Sequence, residues 1–321
     1  MFDLDKIVTE VQNTEIVVKD KTLEELHNEC FVDLDAEVKP LDVLVYVGID
    51  GQGKKAPAIT RGEISCIYAP SKAKKSFNKS LVEAAFIGGN TTNYSNLIVG
   101  NRKTEGYVIS IDTEQGEFYA ANAFRRVERM VGNRYNKFVP FQMRKQSVKD
   151  RLRFLNYLVR ESKYAGNIDI ITIDGLADLV TNTNDIETSA ELAEMLLQWS
   201  ALGLHICFIL HKNPNSQKAR GHIGSVTTIK CETMISMDRL VDEDGEGEKN
   251  TVKISCSHSR GRDFEDFYLT VDEDGLPFTH SFLEENTSNP NKQKTKEFKE
   301  EKQQIKPVSL SDAFGEDNVP F

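Results

Sequence analysis

Residues Glu63 to Ser76 (Glu-Ile-Ser-Cys-Ile-Tyr-Ala-Pro-Ser-Lys-Ala-Lys-Lys-Ser) restrict the possible folds more than any other stretch of the chain. An apolar run of strand length leads into a short polar loop, and a Lys-Ser pair then opens a helical pattern reaching about Phe86. A strand that turns directly into a helix start aims backbone N–H groups and the positive end of the helix dipole at one point, which suits a phosphate. Against the pattern G-x-x-x-x-G-K-[S/T], Lys75 and Ser76 hold the lysine and hydroxyl positions, whereas Ala69 and Lys74 replace the two glycines. The replacements matter because a Cβ crowds an approaching phosphate and penalises positive φ. The plain alternative is a basic strand-to-helix turn.

Carboxylates recur at strand ends. The run from Tyr107 closes with Asp112-Thr113-Glu114, and the β-branched run from Ile168 closes with Asp174-Gly175. In open α/β sheets the carboxyl ends of the strands line the ligand crevice. Glu114 and Asp174 are therefore placed for phosphate and divalent-cation chemistry, although an Asp-Gly turn after a buried strand explains Asp174 equally simply. A further apolar run, Leu204 to Leu210, leads into His211-Lys212-Asn213-Pro214 and then a loop to Ser225 rich in Gly, Ser and cations. A histidine at such a strand end is either a hydrogen-bonded structural residue or a group facing the crevice.

The remaining pattern completes an α/β reading. Strands are predicted at Leu41–Val47, Phe138–Phe141, Cys231–Met237 and Thr251–Cys256, with a closing hairpin over Phe264–Thr270 and the Gly275 turn. Helices are predicted at Arg125–Val131, Ser147–Ser162 and Asn184–Leu204, the last with core-facing Leu192, Leu196 and Trp199. The expected fold is a mostly parallel twisted sheet flanked by helices, with a C-terminal antiparallel hairpin. Residues 1–40 form an acidic N-terminal arm with a short amphipathic segment at Leu23–Cys30, and 41–283 form the core. Residues 284–310 are too poor in apolar side chains to order themselves and read as a disordered linker to an acidic tip at 311–321.

Net charge is −10, which excludes a uniformly basic nucleic-acid binder. The average hides a reversal: between Arg125 and Lys163 twelve Arg and Lys face three acids. Such a run is either a set of solvated helix faces or a surface for a phosphate backbone. No apolar run is long enough for a membrane span, and Met1 to Lys6 lacks a signal-peptide pattern. Five cysteines, none in C-x-x-C spacing, read as reduced residues of a cytoplasmic protein rather than disulfides or metal ligands.

In order, these features are a phosphate loop, Asp-x-Glu at a strand end, Asp at the next, His at the next, a basic Gly-Ser loop, and His258-Ser-Arg260-Gly-Arg262. That order resembles the RecA-like P-loop ATPases, in particular the AAA-domain proteins of phages and mobile elements related to replicative and RepA-type helicases. The resemblance covers about residues 41–280. It implies ATP held by Ser71, Lys72, Lys74, Lys75 and Ser76, with Mg²⁺ on Ser76 and Asp174. It also implies that Glu114 polarises the attacking water and that His211 reports γ-phosphate to a DNA loop at about 213–226. Arg260 is implied as a finger inserted into a neighbouring subunit's site, and hence a homo-oligomer. Single-stranded DNA is expected on Arg125, Arg126, Arg129, Lys212, Lys218, Arg220 and His222. The final residues, Glu-Asp-Asn-Val-Pro-Phe, resemble the tip of bacterial single-stranded DNA-binding proteins. That likeness implies replication or repair proteins as partners, gripping Asp317, Val319, Pro320 and Phe321. Three functions are open at this point: a single-stranded DNA-binding protein on a RecA fold that recruits such enzymes, an active DNA-dependent ATPase or helicase, and an adaptor whose core is incidental.

Overall fold

The computed structural model describes residues 21–37, 39–40, 42–213, 219, 221–240 and 250–281. The linker and tip fall outside the described residues, as do Lys218 and Arg220. The chain divides into two compact units between Leu41 and Asp42. In the first, α1 (Leu23–Cys30) is a two-turn helix closed by a capping box: Glu25 N–H donates to the Thr22 hydroxyl, and Thr22 N–H donates to the Glu25 carboxylate at 2.7 Å. None of its residues is buried.

The second unit is built on a nine-stranded sheet. Its strands are β3 (Ile64–Ala69), β5 (Tyr107–Asp112), β6 (Phe138–Gln142), β7 (Ile168–Asp174), β8 (His205–His211), β9 (Thr233–Arg239), β10 (Thr251–Ser259), β11 (Phe267–Val271) and β12 (Pro277–His280). Their spatial order is β12-β11-β10-β9-β3-β8-β7-β5-β6. From β9 to β6 every neighbouring pair is parallel, and β10 to β12 add an antiparallel meander at one edge. The central strands β3 and β7 are buried at every residue, as expected of parallel strands covered on both faces.

Alternation along these strands separates two cores. Ile67, Ala69, Cys207 and Ile209 point to one face, where they meet α2 (Lys75–Ile87) and α3 (Glu117–Val131). Ile64, Cys66, Tyr68, Ile206, Phe208 and Leu210 point to the other, against α4 (Val148–Arg160), α5 (Ile186–Ser200) and Ile223 of α6 (Gly221–Thr228). His205 crosses neither core freely charged: it bonds Thr60 O at 2.7 Å and Ser65 Oγ at 2.8 Å, and burial pushes its pKa down to about 4.

Two differences from the sequence reading stand out. The first strand, β1 (Val43–Ile49), does not join the main sheet; with β2 (Lys55–Thr60) and β4 (Ile98–Gly100) it makes a separate antiparallel sheet in the order β2-β1-β4. Apolar residues of that sheet, among them Leu44, Val45, Ala58 and Ile98, extend the core on which α2 packs. Second, the segment read as a loop through Ser225 contains α6, because Ile223 and Thr227 recur at helical spacing and are both buried. No described helix is long and apolar enough to cross a membrane. Cys66, Cys207 and Cys231 are buried free thiols.

The small sheet approaches α2 closely at Gly100, where an added Cβ would lie 1.9 Å from the carbonyl oxygen of Ala85. Gly100→Ala is therefore expected to destabilise the protein by about 1–3 kcal/mol through overpacking. A lowered urea midpoint with an unchanged slope would show it, and an unchanged midpoint would contradict this packing.

Candidate active site

The carboxyl ends of β3, β8, β7 and β5 lie side by side in one register. Ala69 pairs with His211, Asp174 with Ile209, and Asp112 with Asp174. Strand pairing alone thus brings together the ends of segments far apart in sequence, and His211, Asp174 and Asp112 stand along that edge.

The loop after β3 adopts the backbone that its glycine-free sequence disfavours. Lys72 and Lys74 have φ of 63° and 58°, and they are the only non-glycine residues with positive φ among those described. A non-glycine residue held this way costs on the order of 1 kcal/mol or more, and such strain gathers at functional sites. Its result is a loop whose N–H groups at Ser71, Lys72, Lys74, Lys75 and Ser76 have no acceptor among the described residues, while Ala73 N–H donates to Pro70 O. Ser71 and Lys72 are exposed. Two further cations border the loop: Arg239 donates to Lys72 O, and Arg126 stacks 3.7 Å from the centre of the Phe77 ring. Burial and these two neighbours pull the Lys74 pKa down.

Two hydrogen-bonded chains run across the crevice. In the first, the buried Lys75 ammonium lies 3.1 Å from Pro70 O and 3.1 Å from His211 Nδ1. Because an ammonium only donates, Nδ1 accepts and the imidazole proton sits on Nε2, which faces Glu114 Oε1 at 3.4 Å. That hydrogen bond holds the Glu114 carboxyl below its usual pKa, against partial burial. In the second chain, Ser76 Oγ donates to Asp174 Oδ2 at 2.6 Å, and Gln115 Nε2 donates to both Ser76 Oγ (3.2 Å) and Asp112 Oδ2 (2.8 Å). Burial raises the Asp174 pKa to about 6, opposed by Lys79 and by the Ser76 hydrogen bond. Burial likewise raises Asp112.

Several contributors carry no motif of their own. Asp112 Oδ1 accepts from the N–H groups of Glu114 and Gln115 and so fixes the turn that aims Glu114. Gly175 has φ of 102°, and a Cβ there would stand 2.2 Å from Thr113 Oγ1 and 2.8 Å from Glu114 Cγ. Beneath the crevice, the fully buried Lys79 bonds Glu83 Oε1 at 3.2 Å and Ser110 Oγ at 2.6 Å. The strand-terminal position of Asp112, next to Glu114, was the available signal for the first. Lys79 and Glu83, four residues apart on a helix, carry no sequence signal of enclosure, and only the fold shows them buried.

Other expected residues stand elsewhere. Lys212 does not face solvent for DNA: it is buried, its ammonium reaching Ser236 Oγ at 2.7 Å and Asp238 Oδ1 at 2.6 Å over the Tyr68 ring. Arg126 is turned inward as well, donating to Gly275 O and Ser80 Oγ, with burial lowering its pKa to about 10. Arg125 and Arg129 are exposed, Arg129 donating to Asp274 O. His222 is exposed on α6 rather than in a loop. Arg151, part of the basic run, is a buried cap on the carbonyls of Met143, Arg144 and Asp178. Arg260 lies at the opposite edge of the sheet, its backbone bonded to Glu232 O and its guanidinium 3.2 Å from Glu63, just before β3 begins. A surface cleft of about 500 Å³ on α4, lined by Arg153, Phe154 and Tyr157, contains none of the crevice residues.

No family model matches the chain, and no curated protein matches it in sequence.

The residues present fit a triphosphate and a divalent cation: five free N–H groups and an enclosed lysine for the anion, and a serine hydroxyl beside a buried carboxylate for the cation. For the unliganded protein the sign of the Asp174 effect is clear. Its folded pKa is raised, so its charge opposes folding above about pH 6 and costs nothing once it is protonated near pH 4. Asp174→Asn is expected to raise the melting temperature by a few degrees at pH 8 in the presence of chelator, with the gain fading as pH falls toward 4. A lower melting temperature at pH 8 would contradict this assignment.

Proposed function

We propose that this protein is a RecA-fold, nucleotide-binding protein that acts on single-stranded DNA in replication or recombination. The observation that carries the proposal is the loop from Ser71 to Ser76. Two lysines there are held at positive φ and five N–H groups of the loop have no acceptor among the described residues, directly beside the Ser76–Asp174 pair. Strain of that kind, in a loop bordered by cations that pair with no carboxylate among the described residues, is well explained by a polyanion that binds there.

ATP would be held by Ser71, Lys72, Lys74, Lys75 and Ser76, and Mg²⁺ by Ser76 and Asp174. The cation, when bound, would neutralise charge on the phosphates. Lys75 is enclosed by Pro70 and His211 and needs only a short side-chain rotation to exchange those partners for phosphate oxygens. In doing so it would release Nδ1 of His211, whose other nitrogen holds Glu114. Nδ1 would then be open to accept a proton, while Nε2–H keeps Glu114 in place to take one from water. This coupling favours the second reading, in which the protein is an active DNA-dependent ATPase rather than a binder alone. Arg260, at the far edge of the sheet, could serve such a site only from another copy of the chain. The sequence Glu316–Phe321 adds the proposed docking peptide for replication or repair proteins.

Titration with a fluorescent ATP analogue and Mg²⁺ tests the phosphate site. Lys75→Ala is expected to weaken binding by at least about tenfold, the loss of one charge-assisted contact. Glu114→Gln should keep the affinity and lose DNA-stimulated hydrolysis. Failure of the wild-type protein to bind any nucleoside triphosphate would overturn the proposal for the crevice, and hydrolysis unaffected by Glu114→Gln would overturn the catalytic reading. The same titration with a labelled oligonucleotide, with and without nucleotide, separates a nucleotide-gated protein from a constitutive binder.

A further inference from the structure

Helix α3 carries an aromatic pair that the core does not use. Its buried stripe is Ala120, Ala123, Val127, Met130 and Val131. Phe118 and Tyr119 lie outside that stripe, 71% and 67% exposed, with their rings meeting edge to face at 5.4 Å. Large rings left in water side by side forgo the burial that elsewhere stabilises the fold, which marks the pair as a contact surface.

The surroundings define what it contacts. Phe118, Asn122, Arg125 and Arg129 follow one another at helical spacing, share one face of α3 and are all exposed. From Phe118 to Arg129 that face runs about 16 Å along the helix. At its N-terminal end the guanidinium of Arg144 lies 3.3 Å from where a Cβ on Gly116 would stand, two residues before Phe118. Lys145 is held by Glu117 at 2.6 Å, whereas Arg125 and Arg144 form no ion pair with any described carboxylate. Exposed rings flanked by uncompensated guanidiniums offer the two contacts that grip a single strand without regard to sequence: stacking for bases and charge for phosphates. A duplex, whose bases are already stacked, would leave the rings unused.

We propose that Phe118 and Tyr119 form a stacking platform for bases of a single-stranded nucleic acid, with Arg125 and Arg144 at the adjoining phosphates. The inference rests on the single-strand reading above, and it names a surface distinct from the basic segment at 213–226. Because only Gly116 separates Glu114 and Gln115 from the start of α3, a strand on this platform would bear on the turn that aims Glu114.

The test is fluorescence anisotropy of a labelled oligothymidine with the full chain. The comparison is among wild type, Phe118→Ala with Tyr119→Ala, Phe118→Trp with Tyr119→Trp, and Arg144→Ala, and an abasic strand of equal length serves as the second probe. The alanine pair is expected to weaken oligothymidine binding about ten- to a hundredfold, with no change for the abasic strand. The tryptophan pair should restore affinity and show emission quenched on binding. Arg144→Ala should weaken both strands alike and flatten the salt dependence. Equal oligothymidine affinity of wild type and the alanine pair, or an equal loss for the abasic strand, overturns the platform while the single-strand reading survives. So does an equal loss of mononucleotide affinity, which would assign the rings to the nucleotide's own base. A wild-type protein that binds no single strand overturns both.

Discussion

The crevice depends on the shared register of four parallel strands. Side chains alternate across a strand with a period of two, so a slip of one residue between β3 and β8 would exchange His211 for Leu210 beside Ala69 and turn the crevice residue into the core. The same holds for Asp112 and Asp174 across β5 and β7. Two dissimilar cores police this register from both faces. Each strand places one set of apolar residues against α2, α3 and the small sheet, and the alternate set against α4, α5 and α6. A slip of one residue would press each apolar set into the other core, whose close-packed space is shaped for different side chains. The polar edge is thereby a consequence of hydrophobic packing some distance below it.

Local conformation then works against intrinsic preference at one place. Positive φ at Lys72 and Lys74 is disfavoured for residues bearing a Cβ, yet the loop is bounded by the last pairing of β3 and the first turn of α2, which leave it little freedom. Glycine would relieve the backbone but would remove two cations from the loop. Lys74 also packs its stem against Phe77, with the ammonium 5.5 Å from the ring centre, so the side chain recovers part of what the backbone loses.

Much of this was legible in the chain. Strands β3, β5, β7 and β8 stand out as apolar runs closed by polar residues, and those closing residues are the ones that meet. What escaped reading has a common cause, which is that sequence reports charge but not enclosure. Lys212 and Arg126 looked like surface cations; one is neutralised by Asp238 inside the protein and the other is spread over backbone carbonyls. Arg151 similarly vanishes into a cap. The small sheet was missed because β4 has only three residues and β2 carries a proline and glycine-rich flanks that read as a turn. Helix α6 was missed because its Gly, Ser and Thr residues are weak helix formers, stabilised here by the burial of Ile223 and Thr227. The two ends of β8 show the same contrast: His205 is enclosed as a neutral link between Thr60 and Ser65, and His211, six residues on, opens to the crevice.

Arg126 has a mechanical meaning beyond its charge. One guanidinium joins the carbonyl of Gly275, in the turn between β11 and β12, to the carbonyl of Ser76 and the hydroxyl of Ser80, on the first turns of α2. The outermost hairpin of the sheet and the helix that follows the Ser71–Lys74 loop are thus joined by one planar group. A shift of that hairpin therefore bears on the first turn of α2 through a shared guanidinium rather than through the strands between them.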